Sequence, residues 1–170
     1  GPSKQGGACM TIPFILNGED VVAQCSVDKR LVDILRDNFK LNGTRADCRS
    51  GICGACSVIF NGRIVPACLI PAFKVKGSEV ITIEGFMQTI EYQDIAAGFH
   101  KSGFYPCQFC NTSVVLSIEA LLSQNLRPEP EQIQIAFTDI QCRCIDPNHL
   151  LLAVKTISEI RQRRLYGRST

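Results

Sequence analysis

The sequence predicts an α+β protein in two parts, a small mixed sheet holding one helix and then an all-α four-helix bundle. Three observations predict it. Two Asn-Gly pairs, Asn17-Gly18 and Asn61-Gly62, each separate short apolar or alternating runs, the pattern of a tight β-hairpin. Helical periodicity occurs once in the first part, and after Phe86 it is the only patterning left. The shift places a boundary there, giving expected domains 9–86 and 87–166.

In the first hairpin, the apolar run 10–14 faces residues 21–27, where Val21, Ala23, Cys25 and Val27 alternate with Val22, Gln24 and Ser26. The alternation makes Cys25 a small buried apolar residue, and Cys9 falls in an arm where no role is expected. Asp28 is the expected N-cap of a helix whose Leu31, Ile34, Leu35 and Phe39 form one stripe against the hairpin, ending by Asn42-Gly43. The second hairpin joins residues 57–60 to 63–67 and leads directly into Cys68. A further strand is expected over 79–84, EVITIE, closed by Gly85.

In the second part, helices are expected over 92–100, 114–123, 131–140 and 147–164, with a loop at 125–130. Their apolar stripes are Tyr92, Ile95, Ala96 and Phe99, then Val114, Val115, Ile118, Leu121 and Leu122, then Leu150, Leu151, Val154, Ile157 and Ile160. Asp146-Pro147 reads as N-cap and first residue of the last helix.

Composition bounds the function. With 170 residues, 45% hydrophobic and 20% charged, the chain buries a core and is not disordered. A net charge of +2, with basic residues concentrated only near the C-terminus, gives no case for nucleic acid, and no apolar run reaches membrane-span length. The basic C-terminal run Arg161, Arg163, Arg164 and Arg168 fits either an acidic partner surface or, preferably, the negative end of a helix dipole. P-loop, GxGxxG and Ser/His/Asp arrangements are all missing from the sequence, so neither hydrolysis nor nucleotide binding is expected of this chain.

Eight of the ten cysteines carry the chemistry. Cys48, Cys53 and Cys56 stand at C-x4-C-x2-C spacing with Cys68 further on, the ligand pattern of a plant-type 2Fe-2S cluster. Three thiolates so close in sequence make the chain wrap one side of a cluster, its amides pointing at the sulfides; Gly51 and Gly54 allow the close approach. A second group pairs Cys107-x2-Cys110 with Cys142-x1-Cys144, each pair between expected helices, so four thiolates can converge at one end of the bundle. Zinc is the competing reading. Structural zinc favours paired halves with two to four intervening residues, which neither the triplet nor a C-x1-C pair supplies. Disulfides need an oxidising compartment, and the sequence shows no sign of secretion. His100 and His149 are expected at the surface or at helix ends and not as ligands.

With these residues in view, the chain resembles the small iron–sulfur subunit of the molybdenum hydroxylases, the xanthine dehydrogenase and aldehyde oxidoreductase family. The likeness rests on LVDILR at 31–36, Asn-Gly-Thr at 42–44, the 48–58 loop, Cys68, the Cys107/Cys110 pair and Cys142-Arg143-Cys144. It implies a ferredoxin-like β-grasp domain in which Cys48, Cys53, Cys56 and Cys68 hold one 2Fe-2S cluster, and a helical domain in which Cys107, Cys110, Cys142 and Cys144 hold a second. It also implies a large partner subunit with a molybdenum-pterin cofactor and a medium subunit with FAD. The expected location is the cytoplasm, where clusters are assembled. The chain departs from the family's usual QCGxCTPG around the second pair, reading Pro106-Cys107-Gln108-Phe109-Cys110-Asn111-Thr112-Ser113. Electron transfer, without bond chemistry on this chain, is the expected function; a freestanding ferredoxin-like carrier is the alternative. Arg49 and Arg143, beside ligand cysteines, either raise the cluster potentials or are ordinary solvated arginines.

Overall fold

The computed structural model describes residues 9–41, 57–107, 110–138 and 145–167. Strands β1 (Cys9–Leu16) and β2 (Glu19–Ser26) pair antiparallel from Cys9 opposite Ser26 to Leu16 opposite Glu19. β3 (Ser57–Phe60) and β4 (Arg63–Pro66) form the second hairpin. Both turns place their two central residues at positive φ, 52° and 85° at Asn17-Gly18 and 50° and 85° at Asn61-Gly62, which Asn and Gly tolerate best. β5 (Glu79–Ile81) runs between the hairpins, parallel to β1 and antiparallel to β3. The resulting order is β2-β1-β5-β3-β4.

Helix α1 (Leu31–Phe39) buries Leu31, Val32, Ile34 and Leu35 against Ile12, Phe14 and Ala23 in one apolar core. Its stripe is the one the sequence predicts, but its start differs. Asp28 sits exposed ahead of the helix; the N-cap is Arg30, whose backbone N–H donates to the Asp33 carboxylate at 3.2 Å. At the other end Lys40 takes the left-handed conformation, φ 58°, and stops the helix at Phe39.

The expected strand 79–84 is cut short at Ile81, because Thr82 caps a short helix α3 (Ile83–Phe86) with its hydroxyl accepting from the Gly85 N–H. Gly85 therefore lies inside a helix instead of closing a strand. The Asn17 carboxamide seats on this junction, its Oδ1 accepting from the Thr82 N–H at 2.8 Å and its Nδ2 donating to Thr82 Oγ1 at 3.0 Å. A Cβ at position 85 would overlap that carboxamide. One short helix, α2 (Ala72–Val75), has no counterpart in the sequence reading.

Four longer elements follow: α4 (Ile90–Ser102), α5 (Asn111–Gln124), α6 (Pro130–Ala136) and α7 (Pro147–Tyr166). Asp146 caps α7 as expected, accepting from the Asn148 N–H at 3.0 Å. Helix α6 ends at Ala136, short of the predicted span, and residues 139–140 lie outside the described set. Contacts of Asp94 with Arg161, Gly98 with Ile157 and Ser102 with His149 show that α4 and α7 run antiparallel. At Gly98 a Cβ would overlap Ile157 Cγ1 and stand 3.1 Å from its Cα, so glycine lets the two helices touch. The face of α4 turned inward carries Asp94, Ile95, Gly98 and Phe99; Ala96 is exposed, contrary to its expected place in the stripe. Helix α5 is buried on every side from Ser113 to Ile118.

Strand β3 belongs to both cores. Val58 joins the core under α1, while Ile59 joins the core of α4, α5 and α7, with Ile64 and Ile81 packed beside it. Period-two alternation thus serves two apolar faces at once.

Candidate metal centres

The three-residue 3-10 turn Ala67–Leu69, at the end of β4, carries Cys68. Cys68 is buried in the core beneath α1, and Arg30 Nη1 donates to its backbone carbonyl at 3.3 Å. Leu31 N–H donates to Ile70 O at 2.8 Å, tying the turn to the start of α1. Ser57, the residue after Cys56, pairs opposite Pro66, two residues before Cys68. The hairpin thus returns the distant cysteine to the strand that leaves the expected cluster loop. Cys48, Cys53 and Cys56, with Gly51, Gly54 and Arg49, lie outside the described residues.

The second group centres on the N-terminus of α5. Cys110 is its N-cap, and the Cys107 carbonyl accepts from Cys110 N–H at 3.0 Å and Asn111 N–H at 2.9 Å. Ser113 Oγ donates to the Cys110 carbonyl at 3.1 Å, completing a rigid first turn. Cys110 is buried and Cys107 half-buried, both against the helical core. The positive end of a helix favours anionic sulfur, which suits a thiolate ligand there. Cys110 is disulfide-bonded; ligation requires its thiolate, so bridge and cluster exclude one another. Gln108, Phe109, Cys142, Arg143 and Cys144 lie outside the described residues.

Helix α7 begins beside this site. His149 Nε2 donates to the Ser102 carbonyl at 2.8 Å, and its ring meets Phe104 edge-on at 5.3 Å. His100 Nδ1 stands 3.3 Å from the exposed Tyr105 hydroxyl. Both histidines therefore have surface or helix-end roles, as expected. Among the described residues no three His, Cys, Asp or Glu side chains gather around a metal position, since only Cys68, Cys107 and Cys110 of the eight expected ligands fall within them. Those three nonetheless sit at two separate places, each backed by its own core, and an all-cysteine donor set suits iron–sulfur clusters. Cys25 is buried on the inner face of β2, where burial, with Cys9 and Asp28 adding, pushes its thiol pKa up. That leaves it inert.

Sequence reasoning missed a network of buried charge. Arg161 is only 4% exposed; its guanidinium donates to Asp94 Oδ2 (2.9 Å), Glu119 Oε1 (2.8 Å) and the Glu91 carbonyl (2.8 Å). Arg164 donates to Asp94 as well, at 2.8 Å from Nη2. These two arginines tie α7 to α4 and α5, and neither an acidic partner nor the helix dipole accounts for them. Burial alone would push the Asp94 carboxyl up, but hydrogen bonds from Arg164 and Arg161 outweigh it and hold the group below the usual range. Glu119 has one guanidinium instead of two, and there burial prevails and raises its pKa. One signal was available: position 161 is four residues beyond Ile157 on the buried stripe of α7.

Family models match both cysteine groups. A 2Fe-2S iron-sulfur cluster binding domain covers residues 21–98, and a [2Fe-2S] binding domain covers 82–155. The nicotinate dehydrogenase small FeS subunit of Eubacterium barkeri is 36% identical over 79% of this chain and 86% of its own length. The chain belongs to the small iron–sulfur subunit family of the molybdenum hydroxylases. The alpha subunit of isoquinoline 1-oxidoreductase from Brevundimonas diminuta is another relative of this iron–sulfur protein, 31% identical over 84% of this chain and 94% of that one. Quinoline 2-oxidoreductase from Pseudomonas putida shares the fold at TM-score 0.79 and 24% identity, over 94% of this chain and 99% of that chain. The aldehyde oxidoreductase of Desulfovibrio desulfuricans matches at TM-score 0.78 and 30% identity over 89% of this chain but 17% of its own, so this iron–sulfur subunit corresponds to a portion of that longer protein. The chain is thus an electron-transfer component of an oxidoreductase, and the carrier alternative is disfavoured.

Proposed function

We propose that this iron–sulfur subunit relays electrons from a molybdenum-pterin centre on a large partner subunit, through two 2Fe-2S clusters, to FAD on a medium subunit. The sheet half, 9–86, acts as a ferredoxin-like β-grasp domain with Cys48, Cys53, Cys56 and Cys68 as ligands. The helical half, 87–166, holds the second cluster with Cys107, Cys110, Cys142 and Cys144. When bound, each cluster takes up and releases one electron at a time. The chain's own residues fix positions and exclude water: Cys68 from a buried turn anchored on Arg30 and Leu31, Cys110 from the first turn of a helix buried on all sides. No residue here acts as acid, base or nucleophile. Residues 106–113 stand where the family's usual motif differs, so contacts to the pterin are proposed to differ as well. The cytoplasm, where clusters are assembled, is the proposed location, and no described helix is long and apolar enough to cross a membrane.

The observation that carries the reading is the placing of Cys68 and the Cys107/Cys110 pair on two separate rigid supports. The test is to reduce the full chain, reconstitute it anaerobically with iron and sulfide, and count iron, acid-labile sulfide and zinc. About four irons and four sulfides per chain are expected, with two distinct paramagnetic signals on reduction. A colourless, zinc-loaded chain would sink the proposal. About two irons, with one signal, would remove the second site.

A further inference from the structure

Where the edge strand β4 meets the helices, a cleft of about 300 Å³ opens, lined by Arg63, Ile64, Ser117, Leu121, Gln124 and Ala136. Ser117, Leu121 and Gln124 stand at i, i+4 and i+7, so one face of α5 supplies its floor. Arg63 and Ile64 come from the start of β4, and Ala136 is the last residue of α6. The lining contains no cysteine, so the cleft is separate from both cysteine groups.

Three of the lining side chains have polar groups to spare. Ser117 is only 4% exposed. A hydroxyl in a helix ordinarily donates back to a carbonyl of its own turn. Ser102, Ser123 and Thr156 do so, to Gly98 O at 2.7 Å, Glu119 O at 2.8 Å and Leu152 O at 2.8 Å. Ser117 Oγ makes no such bond among the described residues and is left to the cleft. The exposed Arg63 guanidinium has no acidic partner among the described residues, and the Gln124 carboxamide has no hydrogen bond there either.

The chemistry of the lining selects its ligand. No carboxylate or histidine lines the cleft, so a cation or metal ion finds nothing to hold it. A guanidinium beside a hydroxyl suits an anion with two acceptor oxygens. Ile64 and Leu121 pack on the helical core and, with Ala136, offer hydrocarbon to the rest of the ligand. Inorganic phosphate fits less well, because it brings more charge than one guanidinium offsets and no apolar surface.

We propose that this cleft is a binding site for a small carboxylate with a compact apolar body. Its oxygens accept from the Arg63 guanidinium and the Ser117 hydroxyl, and its hydrocarbon lies against Ile64, Leu121 and Ala136. A ligand so placed touches β4, α5 and α6 together, and binding the folded chain alone it raises the unfolding temperature. The inference goes beyond the electron relay and does not depend on it.

The test titrates benzoate into the full chain, reconstituted as above, by calorimetry at constant ionic strength, with benzamide and inorganic phosphate as comparison probes. Benzoate should saturate with a Kd of about 1 mM or tighter. Benzamide and phosphate should bind at least about tenfold more weakly. Arg63→Met and Ser117→Ala should each weaken benzoate about tenfold, with Arg63→Lys recovering part of the loss. Ala136→Leu narrows the cleft without touching its donors, and it should weaken benzoate as well. Absence of saturation by about 10 mM overturns the proposal. So does benzamide binding as tightly as benzoate, which would mark an apolar hollow without anion selectivity. Unchanged benzoate affinity in Arg63→Met and Ala136→Leu overturns it too, since the ligand would then sit elsewhere.

Discussion

Around Cys68 the interior is apolar, with no charged side chain buried among the described residues: Ile12, Phe14, Leu31, Ile34, Leu35 and Val80 fill it, and the sheet's hydrogen bonds fix who faces whom. Between α4, α5 and α7 the interior instead holds Asp94 and Arg161, with Glu119 nearly as covered. A sheet carries its register in its backbone, because a slip of one residue would turn every side chain to the other face. Helices bond only within themselves, and apolar surface between them lacks direction. Directional ion pairs supply that missing constraint in the helical half. The two halves thus fix their packing by different means.

The largest break in this contrast comes from Arg161→Ala. It leaves the Asp94 and Glu119 carboxylates covered without their shared guanidinium, a loss of about 3–5 kcal/mol by denaturant unfolding. Lys29→Ala on the sheet half, whose pair with Asp37 spans 3.9 Å between exposed side chains, should change stability by less than about 0.5 kcal/mol. Next in size is Gly98→Ala. Alanine ordinarily favours a helix over glycine by about 1 kcal/mol, yet the overlap with Ile157 should reverse the sign, to a net loss of about 1–3 kcal/mol in thermal or denaturant unfolding.

The network also predicts a pH dependence, readable in unfolding midpoints. Asp94 is held below its unfolded pKa of about 3.9, so its contribution is complete above that value and is lost as pH falls through the folded pKa. Glu119 is shifted the other way; its contribution is complete below about 4.3 and declines as pH rises through its folded value. Asp94→Asn should therefore weaken the neutral protein and flatten the acid limb, whereas Glu119→Gln should cost much less at neutral pH. The smallest expected effect is Asp146→Ala, about 1 kcal/mol from losing the cap of α7, with earlier loss of the second cluster than of the first on warming.

What the sequence disclosed was local. Asn17-Gly18 and Asn61-Gly62 announced both hairpins because few residues accept positive φ, and Asp146-Pro147 announced α7 because a cap and a fixed φ lie side by side. The cysteine spacings disclosed the chemistry for the same reason, a short stretch of chain having to reach around one object. The early stop of β5 was hidden, since Ile83 and Glu84 continue the alternation and only the hydroxyl of Thr82 turns the chain into α3. Ala96 and Asp94 were exchanged because a stripe chosen by hydrophobicity passes over a carboxylate whose guanidinium lies 67 residues away. His149 was read as a helix-end residue, and its contact with Phe104 depends on how α4 and α7 cross. The remaining cysteines, Cys48, Cys53, Cys56, Cys142 and Cys144, were legible as a pattern and lie outside the described residues.

Strand β3 carries a consequence for inheritance. Ser57, Val58 and Ile59 are all buried, with Val58 turned to one core and Ile59 to the other. A gene segment ending near residue 86 would encode a sheet whose Ile59, Ile64 and Ile81 form a bare greasy seam in water. Such a fragment could not be shuffled into another lineage as a ready-made soluble carrier unless those positions were rewritten first. The two halves therefore depend on one another to keep this seam out of water.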